Sequence, residues 1–332
     1  MNDKKIIAEI GSVHDGSFGN AQKLILQSAK SGANVVKFQL HLFDEESLPG
    51  APNPSYFSGE SRKHYFERTT FDFNQLCALK KTAEENNIEF LVSPFSVKAA
   101  EILEDVGVDS YKVPSGEITN LQLLKFISST NKPVYLSTGM SNWEEIDRAV
   151  KILNRENLLT LMQCSSIYPC PNNQVGLNVV SEMIRKYQIN VGFSDHTLGY
   201  SAGIAAATLG ANCVEKHVTF SRNMYGSDAK NSMEFHEFTL FCEMLNDTWE
   251  MVSNPVYKDD LNTYKDMRMV FQKTIVASKD LKKGTIIDES MLNFKKPMIG
   301  IEAHNYKSLI GRRLNIQVKK DHVFTVNEFY EN

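Results

Sequence analysis

Eight short apolar, β-branched segments recur along this chain, and amphipathic helical stretches lie between them. The segments are 6–10, 35–38, 88–92, 110–113, 134–137, 159–163, 189–193 and 213–217. Alternating strands and helices predict a parallel sheet with right-handed crossovers. Eight such units over about 220 residues predict an α/β protein built on a closed (β/α)8 TIM barrel.

The helical stretches have apolar residues at helical spacing. They lie at 21–31, 73–86, 97–106 and 144–153. The spacing of the units is regular except between the second and third strands, where residues 40–70 form an extra segment with three prolines and several aromatic residues. Long connections in compact domains are often lids or binding loops, and we expect that role here.

The length of the chain leaves room for a second domain. The chain has 332 residues, whereas a barrel of this kind commonly takes about 250. We predict a barrel over 1–250, a linker over 251–270 and a small β-rich domain over 271–332. In that last part, 274–277, 285–287 and 316–318 are predicted as strands and 288–292 as a helical turn.

Composition excludes several classes of protein. The net charge is −4, from 36 basic and 40 acidic residues, which gives no general electrostatic basis for binding nucleic acid or an anionic membrane. No apolar run reaches the roughly 18 residues that span a bilayer, and no signal peptide is recognised. The five cysteines are odd in number and lack a CxxC pair, so we expect a cytoplasmic protein in which each is a small buried apolar residue.

Polar and ionisable residues stand at the carboxyl end of every predicted strand. In a (β/α)8 barrel the residues at that end line the active site, and uncompensated charge inside apolar strands is costly. We therefore expect these side chains to meet at one mouth. The main ones are Glu9, His14, Lys37, Gln39, Ser93, Lys112, Ser115, Ser137, Thr138, Gln163, Ser165, Ser166, Tyr168, Ser194, Asp195, His196, Glu215, Lys216 and His217.

One subset of these residues predicts an anion site. Lysine ammonium groups, serine hydroxyls and flexible loop amides together are typical of phosphate binding. The subset consists of Lys37, Lys112, Ser115, Ser137 and Ser194, with Gly116 and Gly139.

A second subset is His196 and His217, at the ends of adjacent predicted strands, with Glu9 and Glu215 possible neighbours. Imidazoles and carboxylates suit a divalent cation such as Mn²⁺, Zn²⁺ or Fe²⁺. Acid–base catalysis by the histidines is the alternative, and the residues alone leave both open. The other histidines away from strand ends are expected at the surface, with His41 the one that could border the mouth. They are His41, His64, His236, His304 and His322.

Six motifs occur in the order seen in sialic acid synthases, and as an ordered set they make the chain resemble that family. They are AEIG at 8–11, KFQ at 37–39, KVPSGE at 112–117, LSTGM at 136–140, GFSDHT at 192–197 and EKH at 215–217. Residues 276–284 and 295–301 resemble the antifreeze-like (SAF) domain that these enzymes carry. The resemblance covers nearly the whole chain.

The resemblance implies a transferase that condenses phosphoenolpyruvate with an open-chain N-acylated hexosamine, such as N-acetylmannosamine or a di-amino analogue. The product would be a nine-carbon 2-keto-3-deoxy acid, released with phosphate after C–O cleavage. In the family the tail domain covers the barrel mouth of a second subunit, which implies a domain-swapped homodimer.

The resemblance also implies roles for individual residues. The catalytic set is Glu9, Glu215, His196 and His217, and the two histidines hold a divalent metal, Mn²⁺ first, with Mg²⁺ or Co²⁺ as alternatives. Phosphoenolpyruvate is assigned to Lys37, Lys112, Ser115, Ser137, Ser166, Ser194 and Lys273. The sugar is assigned to Gln39, Tyr168, Asp228 and Lys296. Which carboxylate moves a proton stays open.

Three positions depart from the family pattern. Val13 stands where an Asn usually precedes the first-loop histidine, Ala229 stands where a His often follows Asp228, and Lys296 replaces an Arg that contacts the acyl group of the sugar. Lysine cannot copy the planar fork of arginine. Because all three lie on the sugar side, we expect the chemistry to be retained with an altered acceptor, such as a di-amino precursor of legionaminic or pseudaminic acid.

Two alternatives compete with this interpretation. One is another phosphoenolpyruvate-dependent 2-keto-3-deoxy acid synthase that uses a different aldose, which the SAF-like tail disfavours. The other is a non-catalytic carbohydrate-binding homologue, which the intact lysine set and the histidine pair disfavour.

Overall fold

The computed structural model describes residues 4–53, 59–154 and 158–331, and the chain divides into two compact units, Met1–Asn254 and Pro255–Asn332. Eight strands of the first unit form its centre. They are β1 (Lys5–Glu9), β2 (Val35–Leu40), β3 (Glu89–Pro94), β4 (Tyr111–Val113), β5 (Val134–Ser137), β6 (Leu159–Cys164), β7 (Asn190–Asp195) and β8 (Cys213–Thr219). Each pairs in parallel with the next, and β8 pairs back with β1. The predicted TIM barrel is confirmed.

Helices connect the strands. They are α1 (Phe18–Lys30), α2 (Phe43–Glu46), α3 (Arg62–Thr69), α4 (Phe73–Glu85), α5 (Val97–Val106), α6 (Leu121–Ser129), α7 (Trp143–Leu153), α8 (Leu177–Tyr187), α9 (Ser201–Thr208) and α10 (Phe235–Ser253). Side-chain caps fix several starts; at α4, for example, Asp72 and Gln75 form a reciprocal capping box. A two-residue strand, β9 (Met233–Glu234), extends the sheet beside β8. No helix in the described part of the chain is both long and apolar enough to cross a membrane.

Strand alternation divides the core into two layers. Residues such as Ile6, Ala8 and Val36 face the helices in the main core, whereas Ile7 and Val35 belong to a separate cluster inside the barrel. Because successive side chains of a strand point to opposite faces, the inward positions that follow these apolar ones are Glu9 and Lys37. The period of two thus brings charged groups to the inside of the barrel at its carboxyl end.

The extra segment between β2 and β3 carries α2 and α3. Residues 54–58 of this segment, including one of the prolines that mark it, lie outside the described residues. The side chains of Phe43 and Tyr65 are buried, so the described parts of the segment pack as structured elements of the barrel unit.

The second unit is small and built mostly without helices. It contains α11 (Lys265–Phe271), β10 (Thr274–Ala277) and β11 (Leu292–Lys295). The strands β10 and β11 pair antiparallel. The prediction of strands at 285–287 and 316–318 is wrong. These residues form only isolated β-bridges, between Ile286 and Arg313 and between Leu281 and Val318. All of α11 except its last residue lies in 251–270, the segment predicted as a linker. The core of the second unit is a separate apolar cluster that includes Ile275, Leu314 and Phe324.

Candidate active site

A cavity of about 420 Å³ opens at the carboxyl ends of the barrel strands. All predicted site residues of the barrel unit line it. They are Glu9, Lys37, Gln39, Lys112, Ser115, Ser137, Ser166, Tyr168, Ser194, His196, Glu215, His217 and Asp228. The two remaining predicted residues, Lys273 and Lys296, belong to the second unit, where Lys296 Nζ lies 5.3 Å from the centre of the Phe271 ring. Their roles, and the homodimer, stay predictions.

Some strand-end residues expected at the mouth lie elsewhere. Lys216 points away from the cavity and donates to Asp195 Oδ2 at 2.8 Å, with a side chain 1% exposed. Asp195 and Lys216 are register partners on β7 and β8. Each directly follows an inward residue, Ser194 or Glu215, so its side chain points to the opposite face of the sheet. His14 packs against Phe71 with ring centroids 4.5 Å apart. The expectation that these three side chains reach the mouth is wrong. It is also wrong for Ser93, Thr138, Gln163 and Ser165, which do not line the cavity.

The centre of the cavity is a buried cluster of charges. Lys37 Nζ donates to Glu215 Oε1 at 3.1 Å and lies 3.2 Å from Glu9 Oε2. Ser194 Oγ also donates to Glu215 Oε1, at 2.9 Å, and Lys112 Nζ lies 3.8 Å from Glu215 Oε2. Glu215 therefore sits between two ammonium groups and one hydroxyl.

The two carboxyl groups in this cluster have opposite electrostatic environments. Burial raises the pKa of Glu9 to about 7, and the nearby Lys37 opposes this rise only in part. Burial also disfavours ionisation of Glu215, but Lys112 and Lys37 outweigh it and lower its pKa to about 2. At neutral pH Glu215 is ionised, whereas Glu9 is the carboxyl group that can exchange a proton.

The raised pKa of Glu9 predicts a pH dependence of stability. Between about pH 4.5 and 7 the folded chain keeps this proton while the unfolded chain releases it, so the free energy of unfolding falls as pH rises, by at most about 1.4 kcal/mol per pH unit. In Glu9→Gln this contribution should vanish. Urea unfolding at pH 5 and pH 7.5 should therefore show a smaller decrease for Glu9→Gln than for the wild type. Glu101→Gln, on an exposed face of α5, is the control and should follow the wild type.

Serine hydroxyls surround the second lysine. Lys112 Nζ donates to Ser137 Oγ at 2.6 Å, and the amide of Gly139 donates to Ser115 Oγ at 3.0 Å. A Cβ atom at Gly139 would lie 2.3 Å from Ser166 Oγ and 2.8 Å from Ser115 Oγ. The missing side chain at 139 therefore leaves room where an ammonium group, three hydroxyls and a loop amide converge, which is the donor set of an oxyanion site.

This space gives a second prediction. Gly139→Ala would push the hydroxyls of Ser115 and Ser166 out of place, so we expect affinity for inorganic phosphate and for phosphoenolpyruvate to fall about 10- to 100-fold, the loss of one or two charge-assisted hydrogen bonds. Isothermal titration calorimetry measures this directly. Gly19→Ala, on an exposed position of α1 outside the cavity, is the matched control, because nothing lies within 4 Å of a Cβ atom there. Equal affinities for the two variants would contradict the prediction.

The two histidines are neighbours in the same cavity, with ring centroids 5.7 Å apart. His196 Nδ1 lies 2.8 Å from the backbone oxygen of Ser165, which places the hydrogen on Nδ1 and leaves the Nε2 lone pair toward Tyr168 OH at 3.0 Å. Burial lowers the pKa of His217 to about 4, so this ring is neutral, and its buried Nδ1 accepts no hydrogen bond from the described residues.

These features fit a divalent cation. The neutral ring of His217 offers a lone pair, and a backbone carbonyl orients the ring of His196, as is common for metal-binding histidines. Burial opposes protonation of His196, but Cys164 and the carbonyl of Ser165 raise its pKa, so a cation at Nε2 would compete with a proton. Among the described residues, however, no group of three or more His, Cys, Asp or Glu side chains is arranged to hold a metal. A cation bound by His196 and His217 would therefore take further ligands from water or substrate.

Asp228 organises the part of the cavity wall that lies beside the histidine pair. Its Oδ2 accepts hydrogen bonds from the backbone amide of Ser12 at 3.0 Å and from Ser12 Oγ at 2.8 Å. Tyr65 OH donates to Ser12 Oγ in turn. Burial opposes ionisation of Asp228, but the neighbouring His217 and the Ser12 donors lower its pKa. This wall is thus anionic and lies next to the histidine pair.

Several residues of the cavity escaped the sequence analysis. They are Ser12, Asn53, Arg62, Tyr65, Phe66, Thr69, Phe95, Pro114, Met140, Cys164 and Ser227. His41, the histidine that could border the mouth, does line the cavity. Cys164 is buried as expected, but it is not simply a small apolar residue: it occupies an inward strand position in the cavity wall, and His196 and Lys112 outweigh burial to lower its thiol pKa to about 7. The period of β6 would have identified it. Arg62 and Tyr65 lie on α3, whose approach to the mouth has no local sequence signal.

Comparison with known proteins decides the family. The NeuB family model matches residues 24–257, and the SAF domain model matches residues 272–329. This chain belongs to the NeuB family. The predicted resemblance is therefore confirmed.

Members of the family give the wider context. N,N′-diacetyllegionaminic acid synthase of Campylobacter jejuni is 36% identical over 97% of this chain and 98% of that protein. N-acetylneuraminate-9-phosphate synthase of Homo sapiens is 28% identical over 95% of this chain and 90% of that protein. The crystal structure of N-acetylneuraminic acid synthetase from Leptospira borgpetersenii matches with a TM-score of 0.70 and 27% identity, over 80% of this chain and 90% of that one. The prediction that this NeuB-family chain is an enzyme is confirmed.

Proposed function

We propose that this chain is a nonulosonic acid synthase, a transferase that condenses phosphoenolpyruvate with an open-chain N-acylated amino sugar. The observation that carries the proposal is one cavity in which an oxyanion site around Lys112 adjoins a histidine pair and a second buried lysine, Lys37. An anionic substrate and an aldehyde can meet there. The names of the NeuB-family relatives support the same reaction class.

The charges favour phosphoenolpyruvate as the first substrate. Lys37 and Lys112 are both buried, and the ionised Glu215 compensates one of the two ammonium charges. When Glu9 holds its proton, one positive charge remains for the substrate. The hydroxyls of Ser115, Ser137 and Ser166 and the small Gly139 would receive the phosphate oxygens without displacing a side chain.

The proposed reaction balances without a redox step. The C2–C3 double-bond electrons of phosphoenolpyruvate form a bond from C3 to the aldehyde carbon of the sugar, and the aldehyde oxygen takes a proton. Water adds to C2 and loses its protons as the C2–O bond to phosphate breaks, which leaves the 2-keto group and free phosphate. We propose Glu9 as the proton-transfer group because it lies in the cavity and changes protonation near neutral pH. When bound by His196 and His217, a divalent cation, Mn²⁺ first, would polarise the aldehyde.

We propose that the acceptor is a di-amino sugar rather than N-acetylmannosamine. Two of the departures from the family pattern, Val13 and Ala229, are buried and directly follow Ser12 and Asp228 in the sugar-side wall. The substitutions therefore act on the position of that wall. The 36% identical relative, named for a product with two N-acetyl groups, supports the same acceptor class.

Release of phosphate from phosphoenolpyruvate tests the function. The purified protein is assayed with Mn²⁺, with Mg²⁺, with Co²⁺ and with EDTA, against N-acetylmannosamine, its 6-phosphate, di-N-acetylated hexoses and shorter phosphorylated aldoses. We expect release that needs both metal and a di-N-acetylated sugar, with a nine-carbon acid in the mass spectrum. N-acetylmannosamine as the best acceptor would refute the di-amino proposal, and a shorter phosphorylated aldose would refute the nonulosonic assignment.

Arg62 gives a further prediction at the acceptor side. It lies half-buried in the cavity wall, and within the described residues its guanidinium makes no ion pair. It therefore offers the planar fork that is missing at Lys296, and we expect it to bind an acyl oxygen of the acceptor. Arg62→Ala should raise the KM for the acceptor about 10- to 100-fold, the loss of a charged hydrogen bond, and leave the KM for phosphoenolpyruvate unchanged. Arg148→Ala, on exposed α7, is the control. A rise in the phosphoenolpyruvate KM instead would contradict this role.

A further inference from the structure

His41 is fixed in the cavity wall by two aromatic rings. It follows β2, and its ring stacks on Phe66 and on Phe95 with centroids 3.9 Å apart in each case and interplanar angles of 9° and 25°. Its backbone oxygen accepts from Thr70 Oγ1 at 2.7 Å. Phe66 comes from α3 and Phe95 follows β3, so the imidazole is clamped between the extra segment and the barrel.

The edges of this ring take part in a hydrogen-bond chain that ends in the reacting centre. Nδ1 lies 2.8 Å from Glu46 Oε1, and Nε2 lies 3.1 Å from Gln39 Oε1. Gln39 Nε2 in turn donates to Glu9 Oε1 at 2.7 Å. The order is thus Glu46, His41, Gln39 and Glu9.

This series of hydrogen bonds determines how the side-chain amide of Gln39 is oriented. The two ends of a glutamine amide are similar in shape, and hydrogen-bond partners decide which end is which. A hydrogen on His41 Nε2 requires the oxygen of Gln39 on its side, so the NH₂ group must face Glu9. Contacts of Nδ1 with Glu46 and of Nε2 with Gln39 Oε1 place a hydrogen on each ring nitrogen of His41. With the amide reversed, an N–H of Gln39 would face the hydrogen on Nε2, which is repulsive, so the contact with His41 decides the orientation.

We propose that His41, supported by Glu46, is a positioning residue that fixes the side-chain amide of Gln39 and, through it, Glu9. The inference deepens the proposed function, on which it rests, because Gln39 and Glu9 act there on the acceptor and the proton. Glu46 matters because a carboxylate accepts the hydrogen on Nδ1. A neutral glutamine at 46 would not favour hydrogens on both ring nitrogens; if its amide oxygen accepted from Nδ1–H of a neutral ring, Nε2 would present a lone pair to Gln39 and no longer fix the amide.

The test uses His41→Phe, which keeps an aromatic ring between Phe66 and Phe95 but removes both nitrogens. We expect kcat/KM for the acceptor to fall at least tenfold, with the KM for phosphoenolpyruvate within twofold of the wild type. Glu46→Gln should give a smaller loss in the same direction. His64→Ala and Glu45→Gln, exposed positions of the same segment, are matched controls and should behave like the wild type.

A double-variant cycle separates this role from a general structural one. If His41 acts through Gln39, the variant carrying both His41→Phe and Gln39→Ala should be no slower than Gln39→Ala alone. Multiplied effects of the two substitutions would overturn the proposal. So would an acceptor kcat/KM for His41→Phe within twofold of the wild type.

A spectroscopic readout covers the case in which no acceptor is turned over, which would refute the proposed function but not this inference. In protein labelled with ¹⁵N-glutamine, the side-chain NH₂ signal of Gln39, assigned with Gln39→Ala, should shift in His41→Phe and stay in place in His64→Ala. An unshifted signal in His41→Phe would overturn the positioning role.

Discussion

Replacing Lys37 by methionine is expected to lower kcat/KM at least about 10³-fold, the upper range for losing one preorganised charge-stabilising group. The ammonium group lies 3.1 Å from Glu215 and 3.2 Å from Glu9, and its side chain is 5% exposed. Its loss removes a cation from the proposed phosphoenolpyruvate site and leaves two carboxyl groups facing each other. Phosphate release under saturating substrates and calorimetry of phosphoenolpyruvate binding measure the two consequences separately.

Lost folding has to be distinguished from lost chemistry in this variant. Breaking a buried ion pair from one side commonly costs about 3–5 kcal/mol. Adding Glu9→Gln to Lys37→Met removes one uncompensated carboxyl group, so the double variant should regain part of the stability in urea unfolding but none of the activity. If Lys37→Met keeps more than a tenth of wild-type kcat/KM, or if the double variant recovers turnover, Lys37 has no direct part in the reaction.

The barrel and much of its site were predictable from sequence because two simple periods determine them. Apolar β-branched segments alternate with helical stretches, and parallel strands in a barrel all end at the same mouth. Knowing only that a residue ends a strand was enough to bring Lys37, Lys112 and His217 together. The prediction was less accurate where it ignored the alternation of side chains between the two faces of each strand. Asp195 and Lys216 are outward by strand alternation, and counting every second residue would have excluded them.

The remaining parts of the site depend on contacts between distant segments. Ser12 links Tyr65 to Asp228, which is 216 residues from Ser12 in the chain, and no local pattern specifies these contacts. The extra segment is marked by prolines and aromatics, but only its packing shows that Arg62 and Phe66 face the cavity. In the second unit, β11 alternates apolar and polar side chains, but it has only four residues, so its pattern is too short to predict a strand.

Lys216→Met is expected to lower the stability of the barrel unit strongly without touching the cavity. Lys216 Nζ is held by Asp195 Oδ2 at 2.8 Å and by the backbone oxygens of Thr197 and Gly199 at 2.5 Å and 3.1 Å. Methionine would leave a buried carboxylate and two carbonyl oxygens without this donor. We expect the free energy of unfolding to fall by about 3–5 kcal/mol, which lowers the midpoint of thermal unfolding by roughly 10 °C for a unit of this size.

The matched control is another lysine–aspartate pair at the surface. Lys186 Nζ lies 2.8 Å from Asp147 Oδ1 with a side chain 40% exposed, so Lys186→Met should cost at most about 1 kcal/mol. Because the Lys216 ammonium group points away from the cavity, folded Lys216→Met should bind phosphoenolpyruvate with near wild-type affinity. Equal losses of stability for the two lysines would show that burial does not set the strength of this pair. Asp195 and Lys216 directly precede His196 and His217 along β7 and β8. If folded Lys216→Met failed to bind phosphoenolpyruvate, the outward-facing pair would therefore determine the positions of the inward-facing side chains that line the cavity.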